Sequence, residues 1–330
     1  MKNCVAILNT IKNNIQPVKK ITLKNQGYQY LEQAFREWLD VLGYGSGTVN
    51  GMPLLIREFL HHLEQNQVQH ISQLQQKQIK SYHGHISTRA NERRGGGLSN
   101  NYINKHLQAI EKFLEFLNHK GMQNVPPLGI RLEKLNRAAI TILTQTEIKE
   151  LFTLTGREPN TEKEQVIQSR DRALLAIFYS CGLRRNEGAN VSIDDINFDT
   201  RILHVKKGKN RKERLVPLNK TNAAYLQEWI YDYRSQIVKT KKEHRLFIGI
   251  HGEPMTGGAL YSRLKLLQLQ SDDIALGQKN IGLHSLRHSI ATHLLEAGMS
   301  LEKIARFLGH SSLESTQIYT HLIEKHEREC

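Results

Sequence analysis

The stretch from Ile281 to Leu322 reads IGLHSLRHSIATHLLEAGMSLEKIARFLGHSSLESTQIYTHL and constrains the chain more than any other. Its apolar residues recur at helical steps, and glycines interrupt them at Gly298 and Gly309. Ser300 and Ser311 or Ser312 suit helix N-caps, so the stretch predicts helix, turn, short helix, turn, helix. His284, Arg287 and His288 stand at i, i+3 and i+4, on one helical face. Leu286, Ile290, Leu294 and Leu295 fall largely on the other. The two turns can bring His310 and Tyr319 back to the His284 and Arg287 face.

Singly, each of these residues has a plain structural explanation. A helical histidine usually packs or faces water, and Tyr319 between Ile318 and Leu322 suits a core. His284 and His288 at i, i+4 could hold zinc, but no HExxH motif accompanies them.

The chain of 330 residues is long enough for two domains. Residues 1–20 read as a loosely attached basic segment. Residues 21–120 read as a helical domain of four helices. Tyr28, Leu31, Phe35, Trp38, Leu39 and Leu42 define the first helix. The second is expected after Gly51, with Pro53 in its first turn, and runs to about Glu64. The third spans about Leu74 to Ile86; a basic loop, Arg93 to Gly97, follows. Ser99 caps the fourth, which ends near Gly121. Residues 121–140, with Pro126-Pro127 and Gly129, read as a linker. Residues 141–330 form the second domain, opened by a capping box of Thr144 and Glu147. There Ile202–Lys206 and Arg214–Leu218 read as two strands of a hairpin between helices. The fold class is mainly α with a small antiparallel β-sheet.

The formal charge of +14 fits an anionic partner, nucleic acid before membrane surface, and equally a merely basic, soluble surface. Cys4, Cys181 and Cys330 form no CxxC pair, which suits a reducing compartment and no disulfide framework. The N-terminal residues lack a signal-peptide pattern, and no apolar run approaches the roughly 20 residues needed to span a bilayer.

Two further groups complete the chemistry. Arg184 follows Gly182, and a guanidinium on a tight turn suits forked hydrogen bonds to phosphate. Glu187, three residues on, could hold it. The run Gly208-Lys209-Asn210-Arg211-Lys212-Glu213-Arg214 presents a lysine at a hairpin tip with basic neighbours. Alone, that run is a solvated basic loop. Together with the histidines and Tyr319, these residues form an inventory for metal-free phosphoryl transfer. Positive donors surround the phosphoryl oxygens, the phenol attacks, and lysine protonates the leaving oxygen. No acidic cluster suited to a two-metal nuclease accompanies them.

GLRxxE at 182–187, GKNRKERLVPL at 208–218, HSLRH at 284–288, LGH at 308–310 and Tyr319 in STQIYTHL resemble the boxes of the tyrosine recombinase (phage integrase-like) family, in its order and approximate spacing. The resemblance spans 141–322 and includes Leu143-Thr144 and Arg170–Leu175. Residues 21–120 resemble, more weakly, the family's SAM-like core-binding domain. The architecture is that of two-domain recombinases of the XerC/XerD type and of mobile-element integrases.

The resemblance implies a clamp of two domains around DNA. Arg184 and Arg287 would hold the scissile phosphate. Lys209 would protonate the leaving 5′-hydroxyl, and His284 would serve in acid–base work. His310 would donate a hydrogen bond, and Tyr319 would form a 3′-phosphotyrosyl link. Glu187 and His288 would be supporting residues. Arg93, Arg94, Lys105, Arg211, Lys212 and Arg214 are expected to contact DNA. No cofactor, metal or ATP is expected. The expected partners are duplex DNA carrying specific recombination sites and further protomers, in a synaptic tetramer, with a second recombinase as an option. The expected location is cytoplasmic, with the nucleoid. The rival readings are a catalytically silent DNA-binding protein of the same fold and a type IB topoisomerase-like strand relaxer. Metal-dependent hydrolysis through His284 and His288 is a further one. Two departures stand out: Gly188 follows the box-one glutamate where an apolar residue is usual, and Asn210 stands where a second glycine is commoner.

Overall fold

The computed structural model describes residues 21–92, 95–135, 140–206, 213–240, 242–310, 316, 317 and 319. The chain divides into two compact units, residues 1–138 and 139–330. No described helix is long and apolar enough to cross a membrane.

The first unit holds four α-helices among the described residues. They are α1 (Gln26–Val41), α2 (Ser46–Gln65), α3 (Gln76–Thr88, after a 3₁₀ turn at Ile71–Gln73) and α4 (Asn100–His119). The spacing of Tyr28, Phe35 and Leu39 keeps one face of α1 in the core. Phe35 meets Phe113 of α4 edge-on at 5.4 Å. Asn25 and Ser99 cap α1 and α4, accepting from the Tyr28 and Tyr102 N–H groups. Helix α2 corrects the expectation: it begins at Ser46, so Pro53 lies in the helix interior. Proline supplies no N–H there, but its ring is buried in the core. Three weak helix formers, Gly47, Asn50 and Gly51, hid this first stretch.

The segment after α4 contains neither helix nor strand through Leu135, yet it is tied down. Asn104 donates to the Glu133 carbonyl at 2.9 Å and accepts from its N–H at 2.7 Å. Asn100 donates to the Lys134 carbonyl at 2.9 Å. The anchored part of the expected linker therefore belongs to the first unit.

The second unit is also mainly helical. It opens with α5 (Gln145–Leu154), started by the Thr144–Glu147 capping box. Helix α6 (Glu162–Leu175) continues as a π segment, Ala176–Ser180, where Cys181 N–H reaches the Ala176 carbonyl. The short α7 (Arg185–Asn190) follows. Strands β1 (Ile196–Asn197), β2 (Ile202–Val205) and β3 (Arg214–Pro217) form an antiparallel sheet in chain order, with Leu203 opposite Val216. Then come α8 (Lys220–Gln227, extended through a π segment Glu228–Arg234), α9 (Gly257–Gln268), α10 (Ile274–Gln278), α11 (Leu283–Glu296) and α12 (Leu301–Leu308). Strand β1 and helices α9 and α10 have no counterpart in the sequence pattern, whereas α7 is the helix expected after Arg184.

Buried polar contacts orient these elements. Asp171 on α6 pairs with Arg263 on α9. Trp229 fills the core and donates to the Leu246 carbonyl at 2.9 Å. Ser289 of α11 accepts the Leu143 N–H at 2.8 Å, which ties the start of the unit to the helix bearing His284 and Arg287.

Candidate active site

Helix α11 carries its polar groups on one face as its spacing requires. His284 is exposed in the first turn, Arg287 is only 3% exposed and His288 is half-buried. Arg287 donates to the Gly182 carbonyl at 2.6 Å and to the Leu308 carbonyl at 2.8 Å. Burial, with Arg184 beside it, pushes its guanidinium down to about 9. The turn at Gly182 has φ 61°, and an added Cβ would stand 2.9 Å from Leu308 Cδ2. Glycine therefore allows both the turn and its packing under α12.

Arg184 is the N-cap residue of α7. Its Nη1 donates to Glu187 Oε1 at 2.8 Å, and its Nη2 to the Gly309 carbonyl at 2.9 Å. Glu187 also accepts the Arg184 backbone N–H at 3.0 Å. Burial pushes the Glu187 carboxyl up, but bonds and charge from Arg214 and Arg184 outweigh it and hold it at about 2. Gly188 is explained by its neighbour: an added Cβ would lie 2.4 Å from Phe178 Cζ. The buried Phe178 ring fills the space that a side chain at 188 would need, and α7 is intact.

Helix α12 starts at the Ser300 cap and ends at Gly309, which is left-handed at φ 67°. His310 follows. Its Nδ1 lies 2.7 Å from Thr316 Oγ1. The Tyr319 ring stacks on His310 at 6.4 Å and 14°, and is only 1% exposed, against Ala291, Ile304 and Leu308. The plain reading of Tyr319 as a core aromatic is thus true of its ring. Its hydroxyl is engaged differently: Oη lies 3.0 Å from His288 Nδ1. Burial raises the phenol's pKa, and Arg287 and Arg184 act against that rise. Burial, followed by His284 and then Arg287, pushes His288 down to about 4. Burial and the Arg287 charge likewise push His310 down to about 4. Burial and Arg287 also lower His284.

The structure brings together Arg184, Glu187, Arg287, His288, His310 and Tyr319. Two assignments change. His288, expected as a packing or supporting residue, is the imidazole at the phenol. Arg214, expected to contact DNA, has a side chain 8% exposed, donating to Glu187 and to the Phe307 carbonyl. The alternation of β3 held that signal, since Arg214 shares a face with buried Val216 while Leu215 is exposed. Thr316, the partner of His310, had no sequence signal. Lys105 is exposed on α4. Lys209, Arg93, Arg94, Arg211 and Lys212 lie outside the described residues. Among the described residues, no group of three His, Cys, Asp or Glu side chains could hold a metal ion.

A phenol beside a neutral imidazole, with two guanidinium groups near it, is equipment for handling a phosphodiester through tyrosine. The fold and this site define a tyrosine-dependent phosphoryl-transfer enzyme. The model of the phage integrase family matches residues 141–326. Tyrosine recombinase XerD of Staphylococcus saprophyticus is 30% identical over 281 residues, which are 85% of this chain and 89% of that protein. Tyrosine recombinase XerC 2 of Ralstonia nicotianae is 30% identical over 323 residues, 96% of this chain and 87% of that one. The solved XerH site-specific recombinase in its pre-cleavage complex with difH shares the fold, at TM-score 0.66 and 19% identity, covering 98% of this chain and 93% of its own. The chain belongs to the phage integrase family and is a tyrosine site-specific recombinase.

Proposed function

We propose that this recombinase cuts and rejoins duplex DNA at specific sites through Tyr319. The observation that carries this reading is the Tyr319 hydroxyl 3.0 Å from a neutral His288 nitrogen, beside Arg184 and Arg287. Tyr319 Oη attacks the phosphorus, and the bond from phosphorus to the 5′-oxygen breaks. His288 Nδ1 accepts the phenol proton. Arg184 and Arg287 stabilise the charge on the non-bridging oxygens with donors not committed to carbonyls. Lys209 protonates the leaving 5′-oxygen, and His310 donates to the phosphate. His284, exposed at the start of α11, serves proton transfer on the phosphate side. The 3′-phosphotyrosyl bond conserves the phosphodiester's energy, so a partner strand's 5′-hydroxyl can reverse the step.

The net charge of +14 supports a DNA partner, with Lys105, Arg93, Arg94, Arg211 and Lys212 as phosphate contacts. Residues 21–120 act as the DNA-binding part and 141–330 as the catalytic part. Exchange between two sites implies a synaptic tetramer on DNA in the cytoplasm, with or without a second recombinase. Structural neighbours of the same fold are recombinases and integrases bound to DNA.

The test uses a duplex carrying the site recovered with the wild-type chain by selection from random-sequence DNA. A nick beside the cleavage position lets the released fragment diffuse away and traps the covalent complex. The wild type should trap an adduct and Tyr319→Phe none. Equal trapping by both overturns the reading.

A further inference from the structure

Three arginines converge on the carbonyl end of α12. A helix leaves its last carbonyls without intrahelical partners, and they carry the negative end of its dipole. Here Arg214 Nε donates to the Phe307 carbonyl at 3.0 Å, Arg287 Nη2 to Leu308 at 2.8 Å and Arg184 Nη2 to Gly309 at 2.9 Å. They come from β3, from α11 and from the turn before α7. The left-handed Gly309 makes the approach possible, since an added Cβ would stand 3.0 Å from Arg214 Cδ and from Arg214 Nη1.

Arg214 has a second engagement. Its Nη2 donates to Glu187 Oε2 at 2.9 Å, while Glu187 Oε1 accepts from Arg184 at 2.8 Å. One carboxylate, partly buried, therefore sits between two guanidinium groups. Arg184 and Arg287 are like charges that repel, and only fixed acceptors keep them close in a desolvated site. Arg214 fixes those acceptors from behind.

We propose that Arg214 is a positioning residue for the cleavage step. It locks Glu187 and the end of α12 into one register, so that Arg184 offers its remaining donors to phosphate at a constant place. As the first residue of β3, it also ties the strand that follows the 207–212 segment to the arginine cluster. The planar fork of arginine is required, because its Nε and Nη2 meet two acceptors at once. The proposal rests on the recombinase reading above.

The test uses the full chain, with Arg214→Met and Arg214→Lys, on the selected duplex. DNA affinity is measured across a salt series, and covalent trapping in single turnover on the nicked form. A positioning residue lowers the trapping rate of bound DNA by about 10- to 100-fold, the scale of one lost hydrogen bond to a charged group. Affinity stays within about threefold, and the slope of log K against log salt does not change. Arg214→Lys keeps the charge but loses the fork, and stays well below wild type. Adding Glu187→Gln to Arg214→Met costs less than the product of the two single losses. If Arg214→Met does not melt cooperatively, Arg214→Lys carries the same measurements. A trapping rate equal to wild type overturns the proposal. So does a salt slope reduced by about 0.9, the signature of a lost phosphate contact, with trapping of bound DNA unchanged. Failure of the wild type itself to trap DNA strikes the recombinase reading instead.

Discussion

The Nδ1 atom of His288 lies 3.0 Å from the hydroxyl oxygen of Tyr319. The two residues come from α11 and from a chain position beyond α12, and their rings are 5.7 Å apart. His310 stacks on the same phenol, but its Nδ1 faces Thr316. Among the described imidazoles, His288 is thus the one in reach of the phenol proton.

His288→Phe keeps a ring against Tyr319 and removes the acceptor. The trapping rate on nicked duplex should fall by about 10²- to 10⁴-fold, the range for a positioned acid or base. DNA affinity should be unchanged, which gel-shift titration of the same variant checks.

The acid side of the pH profile follows from the lowered histidines. His288 stands at about 4, so it stays neutral well below the ordinary imidazole range. Any acid limb in the trapping rate that is due to His288 should centre near 4. Stability has a related dependence. Between about 4 and 6.5 the unfolded chain binds protons at His288 and His310 that the native state does not. Stability should therefore decline as pH falls through that window. Thermal melts of wild type and His288→Phe should show a shallower decline in the variant.

Gly188→Ala should destabilise the second unit. The new methyl meets the Phe178 ring at 2.4 Å, and overpacking of this kind costs about 1–3 kcal/mol. Adding Phe178→Leu frees that volume and should recover part of the loss, read by chemical denaturation.

Asn104→Ala removes both amide bonds to Glu133. The first unit should lose about 1–3 kcal/mol, and protease should cut around 133–135 faster than in wild type.

Much of this was legible in the sequence because it rested on local rules. The Ser99, Thr144 and Ser300 caps, the left-handed Gly309 and the shared face of His284, Arg287 and His288 follow from spacing and short-range chemistry. What escaped depended on contacts distant in sequence. The role of Gly188 depends on Phe178 reached through a π segment. His288 becomes important only because the chain returns Tyr319 to it across 31 positions. The burial of the Arg214 side chain is readable only from the two-residue alternation of β3, against which its charge points to DNA. The first turns of α2 are hidden in the sequence because Gly47, Asn50 and Gly51 have low helix propensity, which tertiary packing overrides.

The most direct measurement is the site of attachment in the trapped complex. After digestion of DNA and protein, tandem mass spectrometry of the nucleotide-bearing peptide locates the modified residue. The expected result is a 3′-phosphonucleotide on Tyr319, absent from Tyr319→Phe. A nucleotide on another residue, or an adduct that persists at full yield in Tyr319→Phe, contradicts Tyr319 as the nucleophile.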